Sequence, residues 1–250
     1  MPLPERSVVD SYEPDGKYVT YDIKTDLITE KEASIQIGDL SQETLPHPGI
    51  APLAKIIEPQ NFSSLMYVPN PEDWPWSPNV KLFGKRSNGI SYSCSGTLID
   101  AKHVITAGHC VYKLSEGGWA TEIRVVPAYQ NGHEPYDYSY AVQLHSWSGW
   151  VIDMDFDFDQ GVIDLDRPIG ALTGWYGYWY DNNCSFYTNN IFYNPGYPSN
   201  YPYNGQYMYY WYGTFDGTPC NSGSWYGTQI WFNREAKVKM GFLDQCFINF

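Results

Sequence analysis

Basic residues are scarce in this chain. Its 15 Lys and Arg stand against 28 Asp and Glu, a formal net charge of -13 over 250 residues. With no basic run to offset that balance locally, nucleic acid and anionic membranes are excluded as expected partners. No apolar run approaches the roughly 18 residues needed to span a bilayer, so no membrane partner is expected. The first residues, MPLPERSVVDSYEPDGKYV, lack the basic end and apolar core of a signal peptide. The five cysteines include no CxxC pair, which argues against a zinc site and for disulfides, with one cysteine left over within a monomer. Disulfides favour an extracellular location although no signal is visible. Nothing points to a metal or a cofactor. A convincing helical period is also missing, which leaves an all-β body as the expectation.

What is present begins with a highly charged stretch, residues 1 to about 55, that includes Lys24, Asp26, Glu30, Lys31 and Glu32 and ends in the proline-broken LPHPGIAPLAK. It reads as a leader or pro-segment of limited structure, followed by a single domain over 56–250. From Pro75 onwards, short β-branched runs (NVKLFG, SGTLID, HVITAG, EIRVVPAY, GVIDL) alternate with Gly, Asn and Pro turns. Aromatic residues crowd into 175–232, where packing across strands and loops is the expected use and a sugar- or peptide-binding platform the alternative.

Three segments carry candidate chemistry. In CSGTLIDAKHVITAGHCVY, a strand, a turn and a second strand place Cys94 and Cys110 at facing ends, where a bridge would hold the backbone of the neighbouring His109. Imidazole suits the role of a base that takes the proton of a hydroxyl nucleophile. In DMDFDFDQGVIDLDRPIG, a carboxylate can accept the other ring N–H of such a histidine. Asp159, just ahead of Gln160, Gly161 and an apolar strand, is the candidate, with Asp157 the alternative if the alignment slips by two. The alternating Asp153, Asp155, Asp157 and Asp159 fail as a calcium loop of the EF-hand type, because Phe158 replaces its glycine and Asp164 its bidentate Glu. The third segment, DGTPCNSGSW, supplies Ser222 as nucleophile.

TAGHC resembles the histidine box of the chymotrypsin-like serine peptidases, usually TAAHC, and His109, Asp159 and Ser222 follow that family's chain order. Asn221-Ser222-Gly223-Ser224, with the stretch Gly196 to Trp211 ahead of it, is similar to the glutamyl endopeptidase-like branch. The resemblance covers roughly residues 56–232. It implies two packed six-stranded antiparallel barrels, the first at about 75–168 and the second at about 169–250, with the site in the cleft between them. It further implies a secreted serine endopeptidase made as a zymogen, monomeric, acting on protein or peptide substrates through an acyl-enzyme.

On the family's pattern the oxyanion hole is built from the backbone N–H groups of Ser222 and Cys220, and Asp216 is the candidate pocket residue for a basic side chain. Cys220 stands where glycine is usual, a Cβ that opposes turning the peptide inward by about 1–2 kcal/mol. Trp225 replaces the usual proline, and the 28 residues after Ser222 suggest a second barrel incomplete at its end. These departures motivate the competing expectation, an impaired or inactive homologue that binds protein or carbohydrate. Lys55-Ile56-Ile57-Glu58 offers an activation cut after Lys55, although Asn221 supplies no carboxylate to receive the new amine. Cys184, Cys220 and Cys246 compete for any second bridge.

Overall fold

The computed structural model describes residues 17–32, 64–176 and 192–213. In chain order the strands are β1 (Lys17–Asp22), β2 (Leu27–Glu32), β3 (Met66–Tyr67), β4 (Asn79–Arg86), β5 (Ser91–Leu98), β6 (His103–Thr106), β7 (Tyr112–Lys113), β8 (Gly118–Pro127), β9 (Ser139–Trp147), β10 (Gly161–Leu165), β11 (Phe192–Gly196) and β12 (Tyr209–Gly213). Three short helices interrupt them: α1 (Gly108–Val111), α2 (Ser148–Asp153) and α3 (Gly170–Thr173). At four to six residues, none is long enough to display a helical period, which is why the sequence pattern shows only strands.

Six antiparallel strands close into a barrel in the order β9-β10-β6-β5-β4-β8, and β8 returns to β9 through the pairs Arg124↔Tyr140 and Val125↔Ser139. Period-two alternation builds it. On β4, Val80 and Leu82 are fully buried in a core shared with Leu98, Val104, Ile123, Val125, Leu144 and Ile163. The opposite face of the same strands is also covered. There Val126, Tyr129, Val68, Tyr197 and Met208 form a second apolar cluster, with Phe83 packed against it. That cluster ties the barrel to a three-stranded sheet ordered β11-β12-β3, so a strand from ahead of the first barrel completes a sheet from beyond it. Among the described residues the fold is all-β with a closed six-stranded antiparallel barrel, as expected. Residues 177–191 and 214–250, assigned above to the second barrel, lie outside the described residues.

Aromatic residues of the second sheet pack on one another. Tyr193 pairs across strands with Tyr212 at 5.7 Å between ring centroids, and Trp76 lies 4.7 Å from Tyr210.

One expectation needs correction. Residues 17–32, assigned above to a leader of limited structure, form a β-hairpin, and β1 pairs with β9 from Tyr18↔Trp147 to Asp22↔Gln143. The physical reason is an alternation hidden among the charges. Val19 and Tyr21 point into the barrel core at 5% and 7% exposure, while the charges of β2 face water.

Candidate active site

His109 enters the site from the one-turn helix α1, directly after β6 has delivered the chain to one end of the barrel. Asp159 arrives from the loop ahead of β10, the strand paired with β6. Neighbouring strands thus bring together two residues 50 positions apart. The carboxylate of Asp159 holds His109 twice: Oδ2 lies 2.7 Å from Nδ1, and Oδ1 accepts the backbone N–H of His109 at 2.7 Å. With the carboxylate ionised, Nδ1 carries the proton and the lone pair is left on Nε2. Asp159 is therefore the carboxylate that meets the histidine. Its 7% side-chain exposure, against 20% for His109, sets the pair in a weakly screened environment.

The surroundings of this pair account for several residues of the two motifs. Cys94 and Cys110 form a disulfide with Cα atoms 6.2 Å apart, anchoring α1 to β5. Gly161 follows Asp159 and Gln160 because a Cβ there would sit 2.8 Å from Val111 Cγ2 and 3.0 Å from the Ala107 carbonyl. Gln160 is itself fastened, its carbonyl accepting from Ser146 Oγ at 2.6 Å and its side-chain oxygen from Trp147 Nε1 at 3.1 Å. The loop that carries Asp159 is thus pinned on the residue next to it.

Two further residues at this site escaped the sequence reading. Arg86, with a side chain 1% exposed, sits under α1. Its Nη2 donates to the His109 carbonyl at 2.5 Å, and its Nη1 reaches the Gly118 carbonyl at 3.4 Å. The guanidinium stacks over the Tyr92 ring at 4.1 Å, while Glu116 Oε2 lies 3.7 Å from Nε. Tyr92 in turn donates to the Cys110 carbonyl at 2.5 Å, and burial pushes its hydroxyl up to about 12, so it stays a donor. Trp150, on α2, lies edge-on to the His109 ring at 6.2 Å between centroids and donates from Nε1 to the Tyr112 carbonyl at 2.9 Å. An arginine at the end of a strand and a tryptophan in SWSGWV carry no motif that announces them.

Among the described residues one group of side chains lies close enough to suggest a metal, Cys94, His109 and Cys110, with donor atoms within 4.8 Å of one another. Its two sulfurs are bonded to each other, so neither is a thiolate that could bind an ion. The acidic run from Asp153 gathers no such group among the described residues. Ser222, Cys220 and Asp216 lie outside the described residues, as do Trp225 and the remaining cysteines Cys184, Cys220 and Cys246.

A family model described as Trypsin matches residues 67–198, just over half of the chain. A protein of Bacillus subtilis (strain 168) named extracellular metalloprotease is 36% identical over 113 residues, which are 45% of this chain and 36% of that protein. The glutamyl endopeptidase of Bacillus licheniformis is 38% identical over 88 residues, 35% of this chain and 28% of that one. The matched stretches span about a third of those relatives' own length. A solved structure of Glu endopeptidase in complex with MPD aligns with a TM-score of 0.51 at 22% identity, over 60% of this chain and 67% of that one, a likeness of fold.

Proposed function

Because the chain belongs to the trypsin family, we propose that it is a serine endopeptidase whose triad is His109, Asp159 and Ser222. The observation that carries the reading is the double grip of Asp159 on His109, through the ring N–H and the backbone N–H together. A carboxylate so placed holds the tautomer in which Nε2 can act as base, and stabilises the imidazolium once Nε2 has taken a proton.

In the proposed reaction, Nε2 of His109 accepts the hydroxyl proton of Ser222 as Oγ bonds to the substrate carbonyl carbon. The backbone N–H groups of Cys220 and Ser222 stabilise the resulting oxyanion. The C–N bond then breaks, the departing amine takes the proton from His109, and water, activated by the same base, releases the acyl group. Substrates are proteins or peptides, with Asp216 as the candidate partner of a basic side chain. The name of the Bacillus subtilis relative describes it as extracellular, which supports secretion for this chain. No helix among the described residues is long and apolar enough to cross a membrane.

Labelling with a fluorophosphonate serine probe tests the reading. Ser222 should be modified, and a Ser222→Ala chain should not. If Ser222 stays unlabelled both in the full chain and after a cut at Lys55, while an active relative labels, the enzyme reading is abandoned. Cys220, in the position of an oxyanion donor, supports a second reading in which the site is impaired. Loss of one such donor typically costs about 10²–10³ in turnover, so a gain of that size in Cys220→Gly would identify the hole as the damaged part.

A further inference from the structure

We infer that the N-terminal hairpin, residues 17–32, is a permanent part of the His109 barrel, remaining bound without a covalent link after a cut at Lys55 and supporting His109 through Trp150.

Strand β9 has two edges. β10 takes one from Ala141 to Ser146, whereas β8 pairs with the other only at Ser139 and Tyr140. The stretch from Gln143 to Trp147 is then filled by β1, in five consecutive pairs. Without β1, that run of backbone would lose its partners, and unpaired strand edges are costly and prone to wrong pairing. Side chains fix the register. Gln143 Nε2 donates to Asp22 Oδ2 at 3.0 Å, and His145 Nδ1 lies 2.8 Å from Thr20 Oγ1. The Ile23 N–H extends the join to the Val142 carbonyl at 3.1 Å.

The apolar contacts reach deeper than the edge. Tyr21 stacks on Trp119 at 5.6 Å with 16° between the rings, and Val19 and Tyr21 belong to the core that contains Val111 of α1 and Ile163 of β10. A removable leader would rest on the surface, whereas this one contributes side chains to the interior.

The join ends at the site. Tyr18 pairs with Trp147, the last residue of β9, and α2 begins at the next residue. Three residues further on is Trp150, the wall of His109. Cutting between Lys55 and Ile56 severs the chain well beyond Glu32 and leaves every one of these contacts in place. Retention of the hairpin stands on its own, while its effect on activity rests on His109 acting as the base.

Hydrogen exchange in the full chain tests the pairing of the hairpin with β9 without any variant. The amides of 18–22 should be protected to within about tenfold of those of 143–147 in β9. Exchange at the rate of an unstructured peptide overturns the inference. Tyr21→Ser should lower Tm by more than about 5 °C and slow probe labelling of Ser222 at least tenfold, whereas Leu27→Ser, on the exposed β2, should change neither. An unchanged Tm and labelling rate in Tyr21→Ser also overturns it. In a chain cut at Lys55, the N-terminal piece should co-elute with the remainder on native size exclusion, and its loss overturns the proposal. Protection of 18–22 in a chain that never labels would reject the triad and leave the retained hairpin standing.

Discussion

The indole of Trp150 occupies the space that a methyl group on Gly108 would need. A Cβ built on Gly108 lies 2.7 Å from Trp150 Cδ1 and 2.9 Å from Asp159 Oδ1. The family's box usually has alanine at this position, so the glycine of TAGHC and the tryptophan of α2 belong together. Neither alone accounts for the other.

Gly108→Ala should therefore push apart the two residues whose closeness defines the site. Displacements of about 1 Å at a catalytic group cost on the order of 10²-fold in rate. The probe-labelling rate of Ser222 is expected to fall by about that factor. Adding Trp150→Ala should restore only part of the rate, because the clash with Asp159 persists.

Asp159→Asn tests the double grip directly. The amide can still accept the His109 backbone N–H through its oxygen, but the nitrogen it then presents to Nδ1 favours the other tautomer. Turnover should drop by about 10⁴, the scale typical of this substitution in a Ser-His-Asp triad. Tm should change little, which separates the loss of turnover from unfolding.

Arg86→Met should separate charge from packing. It removes the donors to the part-buried His109 and Gly118 carbonyls and leaves Tyr92 without its stacked cation. A loss of about 2–4 kcal/mol in urea unfolding is expected. Arg86→Lys should recover less than half of it, since an ammonium cannot reproduce the planar fork. Labelling of Ser222 should slow in both.

Lys81 provides a pH test of the contact between the barrel and the second sheet. Its side chain is 2% exposed, its Nζ donates to the Gly205 carbonyl, and it lies over the rings of Phe83 and Tyr129 at 4.7 and 4.5 Å. Burial lowers its pKa to about 8 from 10.5. The folded state thus binds fewer protons than the unfolded state between these values. The penalty for the buried cation is fully present below pH 8 and disappears as the pH rises to 10.5. Stability should climb by on the order of 3 kcal/mol across that window from this group. In Lys81→Met the urea-unfolding free energy should follow a flatter line over the same range, so that the rises of the two curves differ by this amount.

Much of the first barrel and half of the candidate site were legible in the residues. His109 and Asp159 were readable because each stands in a local pattern that chemistry constrains tightly, the histidine after a short strand and small residues, the aspartate just ahead of a glycine and an apolar strand. Hairpin runs such as NVKLFG and EIRVVPAY were readable because alternation is a local property. The hairpin at 17–32 was not. Its two core residues, Val19 and Tyr21, are too few to stand out among charges, and what makes them core is a strand edge more than 120 positions away.

The same distinction separates what was decided by sequence from what was decided by tertiary structure. Residue order and local pattern determined the all-β class, the disulfide-flanked histidine and the carboxylate chosen to serve it, since these depend on neighbours along the chain. Only the closed barrel decided that Arg86 would grip the His109 carbonyl, that Trp150 would demand a glycine at 108, and that the acidic N-terminal stretch would donate a strand. Those contacts join residues far apart in sequence. Their energies come from burial and pairing that exist only once the strands have met.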